Sequence, residues 1–348
     1  MFSIFILTHN EERDIAACIE SALLSDDVIV VDSCSSDRTR AIATQYPVRF
    51  VEHPFASHGQ QRTWMLENVP YRHDWAYILE ADERMTPELF AECLTVIAQD
   101  RAQSSDQTSD QTRNQEHTQD GQSAIPGSPV GYYVAEQVMF MGTWIRRSTQ
   151  FPRYQLRLLR RGKVWFDDYG HTEREVVDGA TAFLQATYPH YTCSKGLSRW
   201  IEKHNRYSAD EAKETLRQLQ GGRVDWRGMV WGKSEVERRR ALKDLSLRLP
   251  LRPLTRWLYM MLILGGWRDG RAGLAWCTLQ AFYEYLIVLK AQELMHPEFL
   301  TGVQPSVEKA GDLPISEDIS ASAGVAMPMG DRLSSASVCQ EVPERTPK

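Results

Sequence analysis

Three acids within four residues, Glu80, Asp82 and Glu83, follow an apolar run over residues 75–79 that has the composition of a buried strand. Such a strand delivers carboxylates to a sheet edge, and ligands of open α/β sheets gather outside the carboxyl ends of strands. Two carboxylates on either side of Ala81 can there hold a hard divalent cation together with a diphosphate. The same acids also fit a solvated turn, because Thr86, Pro87 and Glu88 make an N-cap, an N1 proline and an acidic first turn for a helix. A second dense set of titratable groups lies at residues 167–175. Asp167, Asp168, His171, Glu173 and Glu175 are five candidates for taking a proton from a hydroxyl. Most of them must be solvated or salt-bridged bystanders.

The elements that would position these groups read as an alternation. Residues 2–7 form a buried-strand pattern. Thr8, His9, Asn10, Glu11 and Glu12 then offer an N-cap and an acidic first turn for a helix with Ile15, Ile19 and Leu23 on one face. Residues 28–32 make a second strand ending in Asp32, and residues 33–37 a polar turn that caps a helix over 38–45. A strand at 48–51, a helix at 60–68 and a strand at 75–79 follow. Short links between alternating strands and helices predict parallel strands with right-handed crossovers. Thr8, Asp32 and Asp82 should therefore line one rim suited to a nucleotide, with Asp32 accepting from a base N–H or a ribose hydroxyl. Asp32 equally fits a cap for its own turn, and Thr8, Asn10 and Glu11 equally fit ordinary helix-start chemistry.

Beyond a helix at 87–98, the stretch at about 101–129 is dominated by Gln, Ser, Asp, Thr and Gly and is expected to be a disordered surface insertion. Strand character resumes at 131–134, and residues 157–159 and 164–166 read as a hairpin turning at 161–163. Residues 197–219 form a long helix with Trp200, Ile201, His204, Tyr207, Ala212 and Leu216 as an apolar stripe, on which His204 is packed or capped rather than catalytic. Residues 233–256 are strongly basic. Two apolar stretches follow; 257–267 is too short to span a bilayer, and 272–289 is barely long enough and carries Gln280 and Glu284. They are expected to be an amphipathic helix pair lying in the face of an anionic leaflet, or else packed on the chain's own core or in a dimer.

The 348 residues, 42% hydrophobic and 25% charged, suffice for one large or two modest soluble domains. A net charge of −6 gives no reason to expect nucleic acid as a partner. Six cysteines without a CxxC spacing read as reduced cytosolic thiols, and the N-terminus lacks the pattern of a signal peptide.

With these pieces placed, the chain resembles the family 2 glycosyltransferases, most closely the lipopolysaccharide-core β-1,4-glucosyltransferase group. The matching residues are Thr8-His9-Asn10-Glu11-Glu12, Val30-Val31-Asp32-Ser33-Cys34-Ser35-Ser36-Asp37-Arg38-Thr39 and Glu80-Ala81-Asp82-Glu83-Arg84-Met85-Thr86-Pro87-Glu88-Leu89. Tyr154-Gln155-Leu156-Arg157-Leu158, His190-Tyr191, Lys203-His204-Asn205-Arg206-Tyr207-Ser208 and Trp267-Arg268-Asp269-Gly270-Arg271-Ala272-Gly273 continue the likeness. The family usually has glycine at the Cys34 position, aspartate at the Glu80 position, and His followed directly by Glu where Thr172 here separates His171 from Glu173.

The resemblance implies an α/β GT-A fold, a Rossmann-like mostly parallel sheet flanked by helices, over residues 1–195. A C-terminal amphipathic helical region over 196–300 and a disordered tail over 301–348 complete the expected organisation. It implies an inverting hexosyltransferase with a nucleotide-diphosphate sugar donor, a divalent Mg²⁺ or Mn²⁺ cofactor and a glycan or glycolipid acceptor in cell-surface polysaccharide or lipopolysaccharide synthesis. The protein would sit peripherally on the cytoplasmic face of the membrane. In that reading Thr8, Asn10, Glu11, Asp32 and Glu80 serve the donor, Arg157 adds positive charge at the diphosphate, and Asp82 is the metal ligand. The base is one of Glu173, Asp168 and Glu175, in a catalytic loop that also holds His171; Glu173 stands nearest the expected position. A catalytically decayed sugar-nucleotide-binding scaffold and a sugar nucleotidyltransferase are the rival readings, the latter lacking a glycine-rich phosphate loop after the first strand.

Overall fold

The computed structural model describes residues 1–111, 128–169, 172–220 and 251–296. The expected alternation is present: β1 (Ser3–Thr8), α1 (Ile15–Ala22), β2 (Val28–Asp32), α2 (Thr39–Ala43), β3 (Arg49–Glu52), α3 (His58–Asn68), β4 (Trp75–Glu80) and α4 (Pro87–Gln111). Strands β5 (Gly131–Phe140), β6 (Thr143–Trp144), β7 (Tyr154–Arg160), β8 (Val164–Tyr169), β9 (Thr172–Val177) and β10 (Thr181–His190) follow. The chain then forms α5 (Leu197–Gln220), α6 (Arg252–Leu258), a π-helical turn (Tyr259–Ile263), a 3₁₀ turn (Gly266–Asp269) and α7 (Gly270–Met295).

The main sheet runs β10-β5-β7-β4-β1-β2-β3, with β6 paired to β5. β1 is parallel to β2 and β4, and β2 to β3; β7 enters antiparallel between β4 and β5, and β10 runs parallel to β5. This is the mostly parallel α/β sheet of the GT-A expectation. Its central strands are continuous apolar runs because both faces are covered. Phe2, Ile4, Ile6, Val28, Val30, Tyr77 and Leu79 pack with α1, α2 and α4, while Phe5, Ile29, Val31, Ala76 and Ile78 pack on the other face with Met65 of α3 and Phe166 of β8.

Several local expectations change. The first helix begins at Ile15, because Asn10 adopts a left-handed φ of 53° and its Oδ1 accepts from the Ser36 backbone N–H at 2.8 Å, committing residues 9–13 to a connection. Ile15 and Ile19 are buried as expected, but Leu23 at its end is exposed. On α5, Trp200 and Ala212 are buried and Ile201 is exposed. Helix α4 continues past Ala98 to Gln111, into the stretch expected to be unstructured. Residues 157–159 and 164–166 do not pair with one another; β7 has β4 on one edge and β5 on the other, so β8 takes β9 as partner. The expected loop at 167–175 is therefore a two-stranded ribbon, with Asp168 opposite Glu173. His171, residues 112–127 of the polar insertion, residues 233–250 of the basic segment and the tail at 301–348 lie outside the described residues.

The helical region joins the sheet through a cluster of Val138, Ile145, Met260, Met261, Ala272, Trp276 and Cys277. Its polar lock is Asp269, whose Oδ2 accepts from the backbone N–H groups of Arg147 (2.9 Å) and Ser148 (2.7 Å) and from the Ser148 hydroxyl (2.8 Å). Gly273 makes the contact possible, since a Cβ there would stand 2.2 Å from the Gly266 carbonyl oxygen and 3.0 Å from Ser148 Oγ. Backbone cannot yield as a side-chain tip can. Gly273→Ala is expected to lower stability by about 3 kcal/mol, read as a reduced urea midpoint; an unchanged midpoint would show that this seam is looser than described.

Candidate functional site

Strand ends β1 and β4 open into a pocket of about 400 Å³ lined by Thr8, Glu11, Arg62, Glu80 and Asp82 on the sheet side and by Lys195, Arg199, Lys203 and Arg206 across it. The register explains the sheet side: Thr8 pairs with Asp32 and Leu7 with Glu80, so the strand ends are level. The opposite wall begins at Lys195 and continues along α5, where Arg199, Lys203 and Arg206 repeat at helical spacing. Two rim atoms are left without hydrogen-bond partners among the described residues, Thr8 Oγ1 and Glu11 Oε2. Buried polar atoms normally have partners, so these are open positions for a ligand.

Glu80 occupies the centre of an alternating row of acids and guanidinium groups. Arg62 Nη2 donates to its Oε1 at 2.7 Å, and Arg157 Nη2 stands 3.6 Å from the same oxygen. The other arm of Arg62, Nη1, lies 2.9 Å from Glu173 Oε1. Arg157, fully buried, pairs with Glu83 and donates to the Tyr188 hydroxyl at 3.3 Å. Glu83 in turn accepts from the Glu80 backbone N–H at 2.9 Å. The environments push the two acids apart. Burial opposes charge on Glu80, but Arg157 and Arg62 outweigh it and hold the carboxyl down to about 2, whereas burial pushes Glu83 up to about 7 against the pull of Arg157.

The remaining residues singled out by sequence take diverse places. Glu11 faces the pocket with Oε1 2.5 Å from Lys195 Nζ, and burial still pushes its carboxyl up to about 7. Asp32 lies beneath the rim, off the pocket wall; its carboxylate accepts from the Ser35 backbone N–H (2.7 Å) and hydroxyl (2.5 Å), and burial raises its pKa. Asn10 braces the same turn through Ser36. Cys34, standing where the family usually has glycine, has a left-handed φ of 56°. Arg157 lies behind Glu80 rather than on the wall. Asp168 accepts from Gln60 Nε2 at 2.9 Å, and a bond from the Ser57 hydroxyl heads the causes that lower its pKa, so it caps the start of α3. Glu173 reaches the site through Arg62, and His204 is stacked on Trp200 with its Nδ1 2.8 Å from the Trp200 carbonyl oxygen.

Asp82 Oδ2 faces His190 Nε2 at 3.3 Å, and the other ring nitrogen of His190 lies 2.8 Å from Glu136 Oε2. Burial works against charge on His190, yet Asp82 and Glu136 hold its pKa well above the usual value. No group of three or more His, Cys, Asp or Glu side chains suited to a metal occurs among the described residues. An imidazole whose far nitrogen meets a carboxylate is nonetheless a common metal-ligand arrangement, and Mg²⁺-type sites take one or two carboxylates beside substrate phosphates and water. Asp82 fits the carboxylate part, and His190 fits the imidazole part once an ion takes the place of its proton. Sequence reading quoted His190, Lys203 and Arg206 within family-like motifs but gave them no role, and it passed over Arg62, Lys195 and Arg199: the α5 cations lie one residue from the apolar stripe read there, and Arg62 has no signal in a helix of mixed polarity.

Glu80→Asp would withdraw the carboxylate from Arg62 and is expected to cost about 1–2 kcal/mol, read by urea unfolding; its side chain is 38% exposed, which limits the effect. Because the folded-state pKa of Glu80 is depressed, its ionised form contributes stability above the ordinary value of 4.5, and that contribution fades as pH falls through about 2. The stability gap between wild type and Glu80→Gln should therefore be full above about pH 4.5 and close on acidification. A gap that widened in acid would contradict the pairing.

The model of glycosyl transferase family 2 matches residues 3–165. An uncharacterized glycosyltransferase, RC0292 of Rickettsia conorii, is 37% identical over 232 residues, covering 62% of this chain and 71% of that protein. The lipopolysaccharide core biosynthesis glycosyltransferase LpsC of Rhizobium meliloti is 28% identical over 170 residues, and the chain spans about half of it, 53% against 47% of this chain. Among solved structures, S. aureus TarS 1-349 in complex with UDP overlaps 87% of this chain and 92% of that one at 11% identity and a TM-score of 0.37, too low to support structural argument.

Proposed function

The chain belongs to glycosyl transferase family 2, and on that premise we propose that it moves a hexose from a uridine-diphosphate sugar to a glycolipid or lipid-linked glycan acceptor, with inversion at the anomeric carbon. The observation that carries this reading is Asp82 at the end of β4, facing Lys195, Arg199, Lys203 and Arg206 across one pocket. An acid that holds a cation and a row of cations opposite suit the two ends of a sugar diphosphate. The name of LpsC supports an acceptor of the lipopolysaccharide core type.

The roles divide between residues 1–195 and helices α5, α6 and α7. Thr8 Oγ1 and Glu11 offer hydrogen-bonding positions to the nucleoside, and Asp32 shapes the turn beneath it. The α5 cations draw the diphosphate to the pocket, and Asp82 with His190 would hold a Mg²⁺ or Mn²⁺ ion. When bound, that ion supplies Lewis-acid neutralisation of charge on the departing diphosphate. Glu173, aligned by Arg62, takes the proton from the acceptor hydroxyl as its oxygen attacks the anomeric carbon. Arg157 and Glu83 hold Glu80 and the strand end in place from below.

The exposed apolar side chains of α6, the turns after it and α7 support a peripheral membrane location, which we place on the cytoplasmic face where a nucleotide-sugar donor would be met. Leu254, Leu258, Leu262, Ile263 and Trp267 are exposed, beside Arg268 and Arg271. The segment Gly266–Met295 is long and apolar enough to cross a membrane by length and composition, and most of its most apolar stretch is not buried. Glu284 pairs with Arg252 at 2.8 Å, however, and Lys290 donates to Asn205 Oδ1 at 2.8 Å. Polar ties along its length favour a helix lying in the interface over one crossing the bilayer.

Thermal melting with UDP-sugars is the test. One donor should raise Tm in a Mn²⁺- or Mg²⁺-dependent way, and Asp82→Asn should remove the metal dependence; no shift with any nucleotide sugar would sink the reading. Glu173→Gln should lower kcat by about 10²- to 10⁴-fold while donor binding persists, and a near-normal rate would move the base elsewhere. In vesicle flotation, Arg268→Glu with Arg271→Glu should weaken binding to anionic vesicles; equal recovery with neutral lipid would contradict an electrostatic contribution.

A further inference from the structure

A second cleft, of about 700 Å³, adjoins the first. It lies between the end of β5 (Met139, Phe140), the β5–β6 turn (Met141, Gly142), the segment leading into α5, and Ala275, Thr278 and Leu279 of α7. Cys193 and Ser194 line both cavities, so they form the wall between them. Tyr191, on the second cleft, donates its backbone N–H to the Asp82 carbonyl oxygen at 2.8 Å. The apolar cleft therefore ends beside the strand end that carries the reacting groups.

The lining is almost wholly aliphatic, aromatic or thioether, and charged side chains are absent from it. Its far side is built by α7, where the neighbouring Leu274 is exposed. A polar pocket and an apolar cleft that share the Cys193–Ser194 wall match the two halves of an amphiphile. We propose that the second cleft binds the hydrocarbon chain of the acceptor, and that the acceptor is a lipid whose chain lies along α7 while its sugar hydroxyl enters the Asp82 pocket. This deepens the transferase reading above and rests on it for the identity of the polar end. Volume and composition are those of a ligand site, and the absence of charge leaves an alkyl or prenyl chain as the fitting occupant. The aliphatic and thioether side chains of Met141 and Leu197 are exposed at the cleft, where a bound chain would cover them.

The test uses the full chain, an n-decyl glucoside carrying a terminal diazirine, and shorter and longer n-alkyl glucosides as competitors, all below their micelle concentrations. Photolysis should place the probe on residues 139–142, Leu197 or residues 275–279. Competition should strengthen about fourfold for each added methylene, the equivalent of about 0.8 kcal/mol, until the cleft is filled. Met141→Glu and Leu197→Glu, both at exposed positions and checked for an intact melting transition, should each reduce labelling at least tenfold. Labelling on Leu262 and Ile263 alone, competition indifferent to chain length, or labelling unchanged in both variants would overturn the proposal. So would loss of labelling with rising protein concentration, which would identify a second copy of the chain as the occupant. Melting of the wild type with UDP-sugars is recorded alongside: failure of that shift rejects the transferase reading, and the crosslinking map answers separately for the cleft.

Discussion

The strand end that carries Asp82 depends on a row of three carboxylates and two guanidinium groups: Glu83, Arg157, Glu80, Arg62 and Glu173. Each member comes from a different piece of the fold, with β4 and the turn after it supplying Glu80 and Glu83, β7 Arg157, α3 Arg62 and β9 Glu173. Fully buried Arg157 is tolerable only because acids and the Tyr188 hydroxyl surround it, and removing any one partner would strand charge in the interior. The row therefore fixes the relative positions of sheet, helix and ribbon at the one edge where chemistry would occur. It also explains a glutamate at position 80, since its carboxylate lies between two arginines.

The two walls differ in origin. Glu80 and Asp82 come from the end of β4 and the turn after it, with Arg62 of α3 beside them; the facing cations come mainly from one helix, α5, which packs against α7 through Ala212, Ile287 and Ala291. The width of the pocket thus depends on the helical region, which is in turn tied to the segment after β6 by the bonds of Asp269 to Arg147 and Ser148 and by the close approach of Gly273 to Ser148. A motif far along the chain from the acids, Trp267-Arg268-Asp269-Gly270-Arg271-Ala272-Gly273, has a structural reason for its composition: one carboxylate to cap a turn and small residues to admit backbone.

Much of the sheet was legible because strands covered on both faces are continuous apolar runs, as in β1, β2 and β4, and because Glu80 and Asp82 interrupt such a run abruptly. The Asp32 turn was legible in both its forms, and the capping form is the one seen in its bonds to Ser35. What escaped was pairing between distant segments. Nothing local in residues 157–166 tells that β7 inserts between β4 and β5, and so the ribbon was read as a loop, and Asp168, one of its candidate bases, was not seen to bond Gln60 at the start of α3. Arg62 was passed over, and His190 was quoted without a role, for the same reason: their importance lies in partners remote in sequence. His204 on α5 was read as packed, and its stack on Trp200 agrees.

Helix α4 leaves the rim at Pro87 and runs for 25 residues, about 37 Å at the helical rise, away from the pocket. The chain re-enters the sheet at the start of β5, which is parallel in direction to β4, so Gly131 also stands at the end opposite the rim. Both ends that bracket residues 112–127 are thus on the far side of the molecule from Asp82. Lengthening a surface connection costs only about 0.6 kcal/mol per doubling of its length. For an engineer this is a handle: a fluorescent domain or an affinity tag spliced between α4 and β5 would sit behind the Asp82 pocket, leaving both that pocket and the exposed apolar residues of α6 and α7 unobstructed.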